Sequence, residues 1–346
     1  RLMKRPGLSA RLSYWAGYWL PSWLMGLVAA GMGSHRDNGE TRRIAVLLPE
    51  HLGDGVFTIP LLRALREFLP GARILVAAAP AVAPLFEACP LVQETKVWPP
   101  GFLAAYQLGR MLRVEWRPDL VIVPRADPDR GWAALVAVIS GAPRRVSLTD
   151  CADGWERVRR LQCAPFFTET VRPPAEVRHE RLRRLMLARH LGATQVDPQL
   201  EVWETPAATS RAAAFFSTLP AAGRRVAVGI GASTGQRIWP AERFARLIDQ
   251  LGAGEPIVPV LIGSPRERNL MEAVRAAART PVYFPADATL GETVAVLRGC
   301  SLFIGNDSGP AHLAAAAGLP VVVASAHPAG AVGNHPSNPA KCAPAC

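Results

Sequence analysis

Apolar and polar positions fall into two repeating registers along the chain. Short, nearly continuous apolar runs at 44–48, 73–77, 119–124 and 145–148 read as buried strands. Between them lie stretches with apolar residues at helical spacing. In 56–68 Leu62, Leu65 and Leu69 recur on one face, and Pro70-Gly71 stops the helix. Shorter helical patterns occupy 82–88, 103–112 and 132–139. Residues 151–174 carry no clear period. A strongly charged helix follows at 176–191 and ends at Gly192, then comes a linker at 198–206 and a helix at 207–219.

The alternation then restarts. Strands are expected at 225–230, 257–262, 281–284, 301–304 and 321–324, with helices at 240–251, 266–278, 290–297 and 311–317. Apolar strands separated by helices predict parallel sheets covered on both faces. Two such units in succession predict an α/β protein of two Rossmann-like domains facing a cleft, over residues 41–200 and 207–346. Ligands of such sheets bind at the carboxyl ends of strands.

Residues 1–40 form a separate segment. It is free of charge from Leu12 to Ser34 and rich in aromatics (Tyr14, Trp15, Tyr18, Trp19, Trp23), with Lys4, Arg5 and Arg11 in front. Pro21 and four glycines interrupt it. The aromatic crowding favours a segment lying on a membrane surface, on the inner leaflet, over a secretory signal. A helix packed on the body of the protein is the competing expectation.

Composition adds one constraint. The 346 residues carry a net charge of +11, which favours anionic partners. No zinc finger, no aromatic RNA-binding signature and no lysine-dense arm is present, so nucleic acid is not expected. The arginines at Arg178, Arg181, Arg183 and Arg184 fit a solvated helix face. Of six cysteines, Cys89, Cys151, Cys163 and Cys300 are scattered, as in a reduced, cytoplasmic protein; Cys342 and Cys346 make half a metal site at best, and no metal or cofactor is expected.

Four short segments at predicted strand ends carry candidate chemistry. Gly305-Asn306-Asp307-Ser308-Gly309-Pro310 opens a helix, and its amides and dipole suit an anion, with Asn306 and Ser308 as donors and Asp307 as organiser. The segment 231–240 is a small-residue loop in which Arg237 offers a forked donor to phosphate. Gly53-Asp54-Gly55 presents a carboxylate that can serve as a general base, or can cap the helix after it. Gly263-Ser264-Pro265-Arg266-Glu267 places a carboxylate where ribose hydroxyls can be bound, or where the helix dipole favours an acid.

With these motifs in this order, over about residues 43–336, the chain resembles the heptosyltransferases of glycosyltransferase family 9. The likeness rests on 302–315 (LFIGNDSGPAHLAA), Leu52-Gly53-Asp54 leading into 58–65 (TIPLLRAL), 237–244 (RIWPAERF), and Leu261-Ile262-Gly263 ahead of Glu267. The resemblance implies the GT-B fold and an inverting transfer from an ADP-activated heptose to an anionic glycan or glycolipid such as lipopolysaccharide core, at the cytoplasmic face of the inner membrane. It implies Asp54 as general base, Arg237 (lysine in many members) on the donor phosphates, and Glu267 on the ribose. It also implies Asp307, Ser308 and Gly309 as the phosphate loop, with His312 beside them. His51, Arg125, Arg130 and Arg145 are expected on the acceptor side. Pro49-Glu50 ahead of His51 departs from the family's usual basic residue and aspartate, which leaves the acceptor open. A UDP-sugar transferase or epimerase of the same fold, and a membrane-associated scaffold without chemistry, are the alternatives.

Overall fold

The computed structural model describes residues 41–49, 51–125, 132–149, 166–233 and 235–325. The N-terminal apolar segment, Arg130, Cys151, Cys163, Cys342 and Cys346 lie outside the described residues. Among the described residues no helix is long and apolar enough to cross a membrane.

Two parallel sheets organise the chain. The first contains β1 (Arg43–Leu48), β2 (Arg73–Ala78), β3 (Glu94–Val97), β4 (Leu120–Val123), β5 (Arg144–Leu148) and β6 (Glu169–Val171), in the order β3-β2-β1-β4-β5-β6. The second contains β7 (Arg224–Gly229), β8 (Ile257–Ile262), β9 (Leu302–Asn306) and β10 (Val321–Ala324), in the order β10-β9-β7-β8. Every paired neighbour runs parallel. This is the expected α/β architecture, and the chain has the GT-B fold. The order reverses between β1 and β4 in the first sheet and between β7 and β9 in the second. At such a switch point the connections leave toward opposite faces and open a crevice.

The helices are α1 (Leu52–Phe68), α2 (Phe102–Met111), α3 (Ala133–Ile139), α4 (Glu180–Leu191), α5 (Pro206–Ser217), α6 (Ala241–Gly254), α7 (Arg268–Ala277), α8 (Leu290–Arg298) and α9 (Gly309–Ala316). The central strands are apolar on both faces, as burial between helix layers demands: Ile44 through Leu48 and Leu120 through Val123 are all buried.

The structure differs from expectation where apolar periodicity is weak. β3 was not foreseen, because Glu94-Thr95-Lys96-Val97 is a half-exposed edge strand. β6 lies in the stretch without period and is only three residues long. The expected helix at 82–88 is a single 3₁₀ turn, Ala83–Phe86, and α2 continues through a π-helical turn at Leu112–Trp116. The expected strand at 281–284 reduces to one bridge, Val260 to Tyr283.

The linker between the sheets is pinned from both sides. Arg63 of α1 bonds Asp197 at 3.2 Å, Glu201 at 2.9 Å and the Gln199 carbonyl at 2.8 Å. Arg298 of α8 reaches Glu204 at 2.9 Å and the Val202 carbonyl at 2.6 Å.

α1 takes in Gly53-Asp54-Gly55 as its first turn, so these glycines do not form a turn ahead of the helix. They serve close packing: a Cβ on Gly55 would lie 2.6 Å from Val82 Cγ1 and 2.9 Å from Leu85 Cδ2. Gly55→Ala should therefore destabilise the protein by about 1–3 kcal/mol from overpacking, less up to ~1 kcal/mol regained in helix propensity. Urea unfolding followed by circular dichroism measures this, and an unchanged midpoint would refute the steric reading.

Candidate active site

Asp54 is the third residue of α1, at the carboxyl end of β1 and at the first sheet's switch point. Two arginines hold it. Arg125, just past β4, donates to Asp54 Oδ2 at 2.7 Å, and Arg184 of α4 donates to Oδ1 at 2.5 Å. Arg184 also donates to the Asp54 backbone carbonyl and, at 2.7 Å, to Thr58 Oγ1. Its guanidinium lies over the Phe57 ring, 5.9 Å from the centroid. Burial pushes the Asp54 carboxyl toward its neutral form, but Arg125 and Arg184 outweigh it and hold its pKa below the ordinary carboxylate value. Asp54 is thus an anion at neutral pH with 18% of its side chain exposed.

The first turn of α9 meets the first turn of α1. A Cβ on Gly53 would lie 2.8 Å from His312 Cδ2, and one on Gly309 would lie 3.0 Å from Leu52 Cβ. The Phe57 and His312 rings stand 4.6 Å apart, and His179 closes the group with its ring 5.3 Å from Phe57. Two helix N-termini therefore converge at one point, each with partial positive charge and amides free of intrahelical partners. Ser308 is the N-cap residue of α9, in extended backbone, and its side chain makes no cap bond. Its hydroxyl donates instead to the Asn306 carbonyl at 3.3 Å. Asp307 is half-buried and lies near enough to His312 to act on its charge.

The second sheet's switch point gathers the other predicted residues. Asn306 was expected to donate to phosphate, and the structure corrects this. Asn306 is fully buried; its amide donates to the Ile230 carbonyl at 2.6 Å, and its carbonyl accepts from Trp239 N at 3.1 Å. It ties both ends of the loop after β7, at Ile230 and Trp239, to the end of β9. The 3₁₀ turn Gly235–Arg237 lies in that loop, with Arg237 half-buried. Trp239 packs edge-on against Phe244, 5.1 Å between centroids. Glu267 lies against Gly231: a Cβ there would come within 1.6 Å of Glu267 Oε1. Its other oxygen accepts from Ser264 N at 2.7 Å and Ser264 Oγ at 2.9 Å, closing a capping box.

Two of the residues expected on the acceptor side are near Asp54 and one is not. His51 is the exposed N-cap residue of α1, and its carbonyl accepts from Asp54 N at 3.0 Å. Arg125 makes the ion pair described above. Arg145 sits near the amino end of β5, at the opposite edge of the sheet. Its guanidinium bonds the Phe166 carbonyl at 2.8 Å and the Ala142 carbonyl at 2.7 Å, so its place is structural.

The charged helix holds what sequence reasoning missed. Arg183 and Arg184 are buried, not solvated. Glu180, from the same helix, pairs with Arg183 at 3.4 Å, and burial pushes its carboxyl above the usual value against the pull of Arg184 and Arg183. A signal existed: Arg184 falls in the i, i+3, i+4, i+7 stripe with Leu187, Ala188 and Leu191. A cation in an apolar stripe implies a buried partner.

The family model "Glycosyltransferase family 9 (heptosyltransferase)" matches residues 133–324, more than half of the chain. The chain is 27% identical over 298 residues to lipopolysaccharide heptosyltransferase 2 of Escherichia coli K12, covering 81% of each. A family 9 glycosyltransferase structure from Veillonella parvula superposes with a TM-score of 0.72 at 24% identity, over 91% of this chain and 86% of that one. The structure of the E. coli ADP-heptose lipopolysaccharide heptosyltransferase II gives 0.66 at 26% identity, over 81% and 84%.

His312 is 6% exposed, and its Nδ1 has no hydrogen-bond partner among the described residues. Burial pushes its pKa down to about 4; Asp307 and Asp54 offset this in part, and His179 adds to it. Between pH 6.5 and 4 the unfolded chain therefore binds a proton that the folded chain refuses. Stability present above pH 6.5 should fall by up to roughly 3 kcal/mol as pH drops through that window. His312→Gln should flatten this dependence, as read from urea midpoints at pH 7 and 4.5. An unchanged slope would show that the ring is not buried neutral.

Proposed function

The chain belongs to glycosyltransferase family 9, and from that premise we propose that it moves a heptose from ADP-heptose onto a hydroxyl of a lipopolysaccharide core glycan, with inversion at the anomeric carbon. The observation that carries the reading is the meeting of an ionised Asp54 with the amino end of α9 across the contact between the two sheets' layers. The similarity to heptosyltransferases supports the sugar, and the likeness to the E. coli ADP-heptose lipopolysaccharide heptosyltransferase II supports the nucleotide.

In the proposed reaction the donor diphosphate lies at the Ser308 and Gly309 amides and Arg237, with Glu267 toward the ribose. Asp307 organises that loop and His312 floors it. The acceptor oxygen attacks the anomeric carbon from the face opposite the diphosphate. The carbon–oxygen bond to the diphosphate breaks, and the charge left on it meets the α9 dipole and Arg237. Asp54 takes the acceptor proton. A carboxylate clamped by two guanidinium groups is a weak base, so it takes the proton late, once bonding to the anomeric carbon has acidified the hydroxyl. His51 and Arg125 stand where a charged acceptor enters, and the inner membrane surface supplies that acceptor.

Asp54→Asn should lower kcat by about 10²–10⁴-fold while ADP binding by calorimetry stays within twofold, and Arg237→Ala should weaken ADP binding tenfold or more. Full turnover in the first variant, or unchanged ADP binding in the second, would remove that residue from its role. Arg184→Gln deletes one of the two charges that depress the Asp54 carboxyl. The acid limb of its kcat/KM profile should move to higher pH, a shift that loss of folded protein alone does not produce. An acid limb at the wild-type position would sever Arg184 from the chemistry.

A further inference from the structure

Of the eight large apolar side chains exposed among the described residues, five lie within positions 97–114: Val97, Phe102, Leu103, Tyr106 and Val114. Phe102 is 50% exposed and Leu103 65%. Scattered apolar side chains need no explanation, but five in eighteen residues form a patch. The patch has a defined place. β3 runs parallel to β1, so the start of α2 stands at the same sheet edge as Asp54. Phe102 packs edge-on against Trp132, 5.6 Å between centroids, and Trp132 follows Arg125 by seven residues. The helix and the π-turn after it also expose Arg110 and Arg117, against one exposed acid, Glu115. Phe102, Leu103, Tyr106 and Arg110 share one exposed face of α2 at helical spacing, an apolar surface beside a cation that matches a helix lying in the plane of an anionic bilayer.

We propose that Phe102, Leu103 and Tyr106, with Arg110 behind them, form a docking surface for anionic phospholipid headgroups. This surface would hold the Asp54 edge of the first sheet against the membrane. It rests on the reading that the acceptor is a glycolipid: a catalytic edge facing the bilayer meets its acceptor in two dimensions. The charge argues for a lipid occupant over a second copy of the chain, because two like patches bearing Arg110 and Arg117 repel each other.

The test is flotation of the full chain with vesicles of phosphatidylglycerol and phosphatidylethanolamine, and with vesicles of phosphatidylcholine alone, in the absence of donor and acceptor. The wild type should float with the anionic vesicles. Phe102→Ser combined with Leu103→Ser should lower the partition coefficient about tenfold, and Arg110→Glu about fivefold on anionic vesicles, with unchanged thermal unfolding in both. Failure of the wild type to bind would overturn the proposal. So would equal binding by the double variant, which would move adhesion to another part of the chain such as residues 1–40. A double variant that instead abolishes self-association in sedimentation would identify the patch as a protein interface and also overturn it. Vesicle binding is read without turnover, so a wrong substrate assignment leaves this result intact.

Discussion

A guanidinium with no exposed surface has to meet its charge and its donors inside the protein, because an unpaired buried ion costs several kcal/mol. Arg184 meets its charge at a single place, the first two turns of α1, where its two terminal nitrogens find the Asp54 carboxylate, the Asp54 carbonyl and Thr58, while its Nε has no partner among the described residues. That bond sets the distance between α4 and α1 and fixes the Asp54 side chain. It also turns Oδ2 toward Arg125 at the end of β4. The position and the charge of Asp54 are thus consequences of one buried ion pair. Removing Arg184 acts on folding and on the site together.

The second constraint is the approach of α1 to α9. Two helix starts come together only where side chains are absent, and Gly53 and Gly309 supply that absence on opposing helices. The result is an unusual field, two positive helix ends side by side. Asp54 answers one of them. In the proposed reaction the donor diphosphate answers the other, so the base and the leaving group lie on opposite sides of one contact. His312, neutral and buried between them, fills the space without adding a third charge.

The candidate site was partly legible before any fold was known. Gly53-Asp54-Gly55, Arg237, Glu267 and 305–310 stand out because each follows an apolar strand, and strand ends of parallel sheets are where ligands meet backbone amides. Their division of labour was not legible. Asn306 looks like a ligand donor in sequence and is a strut in the fold, tying Ile230 to Trp239. Arg145 looks like an acceptor contact and lies at the far edge of the sheet, bonded to carbonyls. Side-chain type marks what a residue can bond, while the strand register decides which edge it reaches.

By itself the sequence determined the two α/β units, because apolar runs of strand length alternating with helical periods leave a parallel sheet as the arrangement that buries both. It also set a net charge of +11, which favours anionic partners, and the segments at which chemistry is possible. Only the tertiary structure decided that Arg184 is inside, that Gly53 and Gly55 serve close packing, and that β3 and β6 complete the first sheet. Those facts depend on contacts between residues far apart in the chain, 130 positions for Asp54 and Arg184 and 259 (312 − 53) for Gly53 and His312. Local periodicity carries no trace of such a contact beyond the one arginine set in an apolar stripe.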